Sequence, residues 1–259
     1  MQVVIARSSE VGCEPNCREW IAAQGEIDST TPAKFRTIFD KLGKRRLPIL
    51  IDSRGGTVDE SLFIGRLVRA KGFDVVVSKT NFKACAPKDD ACRKLVAQDI
   101  RSGEPKAALS VCASACAFIL AAGKRRFVGP GTFVGVHRVV SYRTTVKIMK
   151  KYRIETQHIL GFPVSTKKTL LSEEKVGETT AKTKTTDADY DKMRRYFVEM
   201  GISDSIMGLL MSAPHKSIHV LTSAELVSTH MATDLANGEL LLGASQSIAV
   251  PVQADAPGK

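Results

Sequence analysis

An α/β fold is predicted by three observations. Pro48–Asp52 is a short apolar run of strand length, Phe73–Val77 is a second one rich in β-branched residues, and the segment between them, Thr57–Ala70, repeats its apolar residues with helical spacing. A further strand pattern, Glu19–Ile27, and a further helix precede them. Strand, helix, strand, helix and strand in succession is the signature of a parallel sheet with right-handed crossovers.

Each element carries its own signals. Glu19–Ile27 is the first segment expected to be ordered, and it ends at Gly25. Thr31 offers an N-cap and Pro32 a first helical residue, so a helix runs from Pro32 to Leu42 and stops at Gly43. The second helix places Leu62, Ile64, Leu67 and Val68 on a common stripe and stops at Gly72. Thr80–Leu109, with Cys85, Pro87, Cys92, Gly103 and Pro105, reads as a surface excursion with some helix of its own. Val111–Ala122 reads as a helix of small residues stopped by Gly123, and short strands at Phe127–Val128 and Phe133–His137 flank the turn Gly129-Pro130-Gly131. From 141 to 186 Lys, Thr and Glu dominate and the apolar pattern is poor, which predicts an irregular insertion or mobile arm. Asp187–Met200, Asp204–Met211 and Ser223–His230, the last capped by Thr222, read as helices. One domain over 18–235 is therefore expected, with residues 1–17 as an N-terminal extension and 236–259 as a partly disordered tail.

The chain has 259 residues, of which 43% are hydrophobic, enough for a core that needs neither metal nor disulfide to exist. Its longest weakly polar run, Val111–Gly123, is shorter than the roughly 20 residues of a membrane-spanning helix. The formal charge of +11 would permit an anionic partner, but the cations gather at Lys44–Arg46, at Lys124–Arg126 and along Arg143–Lys184. Only 6% of residues are aromatic, so stacking platforms for bases are not visible and nucleic acid is not an expected partner.

The six cysteines form three close pairs, Cys13 with Cys17, Cys85 with Cys92, and Cys112 with Cys116. Structural zinc is a poor match, since only two of the pairs come near the spacing of a metal hook. An even, paired count points to an oxidising compartment. Met1–Glu10 lacks the basic and apolar regions of a signal peptide, so either the protein is cytoplasmic or the given start lies downstream of the true one. Cys85 and Cys92 are expected to pair with each other or with Cys112. Cys112 and Cys116 are expected to stay unpaired with one another, because one helical turn fits disulfide geometry poorly.

Two segments carry chemistry. Asp52-Ser53-Arg54-Gly55-Gly56-Thr57 joins a buried strand to a helix, and paired glycines there let backbone N–H groups face a ligand with no Cβ in the way. A plain βα turn explains the same glycines equally well. Cys112-Ala113-Ser114-Ala115-Cys116-Ala117 puts a serine among small residues at a helix start, where free N–H groups favour a nucleophile and its oxyanion. Capping or close packing is the plainer role for Ser114. His137 shifts the balance, because it ends a strand that can return beside that helix, where a general base would stand.

Taken in order, Gly55-Gly56 after a strand, Ala113-Ser114-Ala115-Cys116-Ala117-Phe118, Ala122-Gly123-Lys124-Arg125-Arg126-Phe127 and Val134-Gly135-Val136-His137 resemble the Clp-type serine peptidases of the Clp peptidase/crotonase superfamily. The resemblance runs from Trp20 to His137, resumes at Leu221–Leu226, and is nearest to stand-alone, often exported bacterial members. It implies a spiral of βαβ units, with Ser114 as nucleophile, His137 as base, and the N–H groups of Gly55 or Gly56 and of Ala115 as oxyanion hole. It implies a peptide or protein substrate, no nucleotide or metal cofactor, no ATPase partner, a periplasmic or exported location, and allows a homo-oligomer.

Three departures stand out. Arg54 occupies a position usually held by proline, and Cys116 one usually held by glycine or another small residue. The family's acidic third member should precede Leu221, yet Pro214–His219 contains no carboxylate. Ser217 lies at roughly that position, and Ser217, a backbone carbonyl or water would then have to orient His137; Lys216 as an alternative base would have to be buried and neutral. Losing tautomer control costs up to about 10⁴ in rate. Three functions therefore compete: a peptide-cleaving serine hydrolase, a peptide-binding protein whose catalysis has decayed, and a crotonase-like acyl-thioester enzyme that would not need Ser114 paired with His137.

Overall fold

A computed structural model describes residues 1–84, 90–160, 162–183, 185–236 and 238. In chain order its elements are β1 (Gln2–Ser8), β2 (Glu19–Gln24), α1 (Thr31–Leu42), β3 (Ile49–Asp52), α2 (Val58–Lys71), β4 (Val75–Val77), β5 (Lys79–Phe82), α3 (Asp90–Ala97), β6 (Ile100–Lys106) and β7 (Val111–Ala113). There follow α4 (Cys116–Ala121), β8 (Arg126–Phe127), β9 (Phe133–Val136), β10 (Ser141–Ile159), β11 (Phe162–Thr183), α5 (Asp187–Glu199), α6 (Ser205–Ser212), β12 (His219–Val220) and α7 (Ser223–Ser228). They fall into two compact units, Met1–Arg138 with Asp191–Lys259, and Val139–Tyr190.

In the larger unit a seven-stranded sheet has the order β5-β6-β1-β2-β3-β4-β8. Strands β2, β3, β4 and β8 are parallel, with Ile21 beside Ile49 and Ile49 beside Val75. The central pair, β3 and β4, is covered on both faces and apolar along its length up to Asp52: Ile49, Leu50, Ile51, Val75, Val76 and Val77 are all buried. The expected βαβ succession is present, and the glycine stops hold, with Gly43 and Gly72 ending α1 and α2 at positive φ. The core closes through stacked rings, Phe39 on Phe73 and Phe118 on Phe197, while the Tyr196 hydroxyl donates to the Phe118 carbonyl.

Five expectations are corrected. Residues 1–17 are not an extension: β1 lies inside the sheet, antiparallel to β2 and parallel to β6, and buries Val3, Ile5 and Ala6. A strand flanked on both sides needs no alternation, and the polar stretch that follows it, Ser8–Arg18, masks its short apolar run. The excursion at Thr80–Leu109 contributes β5 and β6 to the sheet edge, where the Trp20 indole donates to Thr80 Oγ1. Val111–Ala122 is not one helix but strand β7, a turn and helix α4.

That turn also overturns the expectation for Cys112 and Cys116, which form a disulfide with a Cα–Cα separation of 5.2 Å. One cysteine ends in a strand and the other starts a helix, so the rise of a helical turn does not separate them. Cys13 and Cys17 pair across the connection from β1 to β2. Cys92 is disulfide-bonded, whereas Cys85 lies outside the described residues, as does most of the tail expected to be disordered.

The 141–186 segment is regular rather than irregular. Strands β10 and β11 form one antiparallel hairpin from Ser141–Thr183 to Ile159–Phe162, with register shifts after Lys147, Lys151 and Gln157. Threonine, valine, isoleucine and tyrosine at alternate positions give it β-propensity without a core. Among the described residues, no helix is long and apolar enough to cross a membrane.

Candidate active site

The site is built where β3 and a second, three-stranded sheet meet. That sheet has the order β12-β9-β7, with β7 and β9 parallel and β12 antiparallel to β9. Ser53, one residue past β3, bridges to Cys112 in β7, and the Asp52 carboxylate accepts the Val111 N–H at 2.8 Å. The glycine loop after β3 is thereby fixed to the strand that carries Ser114.

Ser114 occupies the sharp turn between β7 and α4 at φ +56, a region that L-residues adopt only under constraint. Two links hold it there. Its N–H donates to the Gly135 carbonyl at 2.8 Å, and the Cys112–Cys116 disulfide brackets it. Gly135 lies in β9 beside Ala113, and His137 follows the end of that strand. Ser114 and His137 thus leave adjacent parallel strands at the same end, where neighbouring backbones are about 4.8 Å apart.

The His137 ring is oriented by backbone. Its Nδ1 lies 2.9 Å from the Arg138 carbonyl oxygen. A carbonyl can only accept, so Nδ1 carries a proton, and in the neutral ring this leaves the lone pair on Nε2, the tautomer required of a base. Arg138 is itself anchored, its N–H donating to the Ala213 carbonyl and its Nε to the Met211 carbonyl.

Among the described residues no hydrogen bond joins Ser217 to His137. The Ser217 hydroxyl donates to the Pro214 carbonyl at 3.2 Å, within its own turn, and Nδ1 is already committed to Arg138. The carboxylate of Glu225 meets a different imidazole, His219, at 2.9 Å, and closes the capping box of α7 with Thr222. Of the orienting groups open to His137 in the sequence, it is the backbone carbonyl that occupies the position.

The glycine loop divides its donors. The Gly55 N–H donates to Ser53 Oγ at 3.1 Å, while that hydroxyl donates to the Gly25 carbonyl at 2.7 Å. Among the described residues the N–H groups of Gly56 and Ala115 have no acceptor. Gly55 serves instead as a contact surface, since a Cβ there would lie 2.7 Å from that of Ser114. At Gly56, φ is +141 and a Cβ would fall 2.0 Å from the Ile27 carbonyl oxygen. Ser53, buried and hydrogen-bonded on both sides, is a positioning residue the sequence did not reveal, because a serine after a strand carries no distinctive signal.

A cleft of about 590 Å³ opens along this loop. Gly55 and Gly56 line it together with Val111 and Leu109, and Glu26, Asp52, Arg54 and Lys79 give it both charges. Arg54 thus contributes a cation to the cleft wall.

No family model matches the chain, and no curated protein does. Among solved structures it is similar to a mutant of the 1510-N membrane-bound stomatin-specific protease, at 16% identity and TM-score 0.45 over 85% of this chain and 80% of that one. A second mutant of the same protease, in complex with a substrate peptide, matches at 16% and 0.45 over 85% and 76%. A mutant of ClpP1 from Listeria monocytogenes matches at 12% and 0.44, over 85% of this chain and 92% of that one.

Proposed function

We propose that the protein is a serine hydrolase that cleaves peptide bonds. The observation that carries this reading is Ser114 at φ +56, hydrogen-bonded through its N–H to Gly135 in the strand that His137 follows. In the proposed cycle His137 Nε2 takes the Ser114 hydroxyl proton as Oγ attacks the scissile carbonyl. The resulting oxyanion accepts from the N–H groups of Gly56 and Ala115. The tetrahedral species collapses as the imidazolium returns its proton to the leaving amine, and water, activated by the same imidazole, then hydrolyses the Ser114 ester.

A carbonyl orients the imidazole but offers less charge than a carboxylate to the imidazolium, so a slow enzyme is expected. The same feature supports a second reading, a peptide-binding cleft without turnover. A crotonase-like acyl-thioester reaction would use the oxyanion donors but gives no reason for Ser114 to sit at a strained turn beside His137. An oxidising compartment, periplasmic or extracellular, agrees with the Cys13–Cys17 and Cys112–Cys116 disulfides.

Turnover of an unstructured peptide substrate separates the readings. Measurable cleavage that falls about 10³-fold or more in both Ser114→Ala and His137→Ala supports the hydrolase. Peptide binding with no turnover, unchanged by either substitution, supports the binding cleft.

A further inference from the structure

The β10–β11 hairpin ends in a feature that water does not favour. Ile159, Leu160 and Phe162 at its tip are 62%, 93% and 74% exposed, and Leu160 is held at φ +51. Hairpin turns that need positive φ ordinarily use glycine or asparagine, which lose nothing by facing water. This one places a leucine at a strained position and surrounds it with apolar residues. Each cost is small, but both fall on one residue that is 93% exposed among the described residues.

The charge behind the tip is mostly of one sign, although Glu155 stands opposite Lys167 in the hairpin register. Between 151 and 172 the cations Lys151, Arg153, Lys167 and Lys168 stand against one carboxylate, Glu155. Glu173, the next acid, is paired with Lys150 at 3.0 Å. Lys168 lies 3.9 Å from the centroid of the Tyr152 ring, leaving its charge on the same face as the exposed Ile154. Lys167 follows Phe162 by five positions, about 17 Å of strand. A tip inserted about 5–10 Å into the acyl boundary would leave those cations within about one Debye length of the headgroups.

We infer that this tip inserts into the interface of a bilayer containing anionic lipids, with Leu160 and Phe162 as anchors and the Lys/Arg collar as electrostatic attraction. Charge complementarity selects this occupant, since a second copy of the same hairpin would bring cations against cations. The inference rests on the unit Val139–Tyr190 alone and is independent of the chemistry at Ser114.

The test is co-sedimentation of the full chain with vesicles of phosphatidylcholine, with and without phosphatidylglycerol. Binding is expected to the anionic vesicles and to fall severalfold as salt rises from about 0.1 M to about 0.5 M. Leu160→Asp combined with Phe162→Asp should weaken it by about tenfold or more, and Lys167→Glu with Lys168→Glu by about fivefold. Far-UV circular dichroism should be unchanged in both. Leu160→Trp supplies a positive readout, because its emission should shift to the blue on adding anionic vesicles while the buried Trp20 stays constant. No partition to anionic vesicles overturns the inference, as does partition indifferent to the tip variants. So does a tip variant that changes only the oligomeric state, which would assign the tip to self-association.

Discussion

Gly55 and Ser114 touch so closely that a single methyl group would not fit between them. A Cβ on Gly55 would stand 2.7 Å from the Ser114 Cβ, 2.9 Å from the Ala113 carbonyl oxygen and 3.1 Å from the Ala115 nitrogen. With φ at +111, the position also lies in backbone space that favours glycine. This contact sets the depth at which the nucleophile meets the loop that carries the Gly56 N–H.

Gly55→Ala should therefore displace Ser114 rather than merely loosen a turn. The expected outcome is a loss of turnover of about 100-fold with a stability loss of about 1–3 kcal/mol, measured by ester hydrolysis and denaturant unfolding. Gly72→Ala is the control: it also has positive φ but open space around it, so it should cost about 1 kcal/mol and leave turnover intact.

The Cys112–Cys116 disulfide closes the turn that holds Ser114, and both cysteines are fully buried. Replacing both with alanine should lower stability by about 2 kcal/mol, from loop entropy, and lower kcat about tenfold with little change in KM. Treatment of the wild type with a reductant that opens this bond should reproduce the kinetic effect, and the double variant should be indifferent to it.

Ser217 is bonded to Pro214 and the Arg138 carbonyl holds His137. Ser217→Ala should accordingly change turnover by no more than about twofold, as an exposed substitution does. Ser217→Asp should bring no gain, measured under the same conditions.

The Thr222 N–H, with help from the His219 ring and the Thr222 hydroxyl, holds the Glu225 carboxyl below the usual carboxylate range. A carboxyl depressed by folding contributes stability that is complete above its unfolded pKa of about 4.3 and disappears as pH falls through the lower folded value. Glu225→Ala should cost about 1 kcal/mol near neutral pH, the usual worth of a helix cap. That difference should shrink below about pH 4, which urea unfolding across the acid range would record.

How much of this was legible depended on whether side chains or backbone carried the information. The glycine stops after α1 and α2, Pro32 and the Thr222 N-cap could be read directly, since each is a local choice of residue with one structural use. That the strand leading to His137 returns beside the segment carrying Ser114 could be read from order along the chain. The partner of His137 could not, because any residue supplies a carbonyl. Nor could the loss of the Gly55 N–H to Ser53, which depends on a hydroxyl reaching across the loop to Gly25. The Cys112–Cys116 pair was hidden because Ala113-Ser114-Ala115 reads as helix, and only the strand ending at Ala113 turns it into an elbow. Strand β1 and the hairpin were missed for opposite reasons: the polar stretch Ser8–Arg18 hides the buried β1, and the hairpin alternates without a buried side chain among the described residues.

If Ser114 is an activated nucleophile, it reacts with a fluorophosphonate, and peptide mapping of the labelled protein is the decisive measurement. Covalent modification should fall on Ser114, slow about 10³-fold or more in His137→Ala and drop about 100-fold in Gly55→Ala. A folded wild-type protein that remains unmodified at Ser114, or labels equally fast without His137, would contradict that activation.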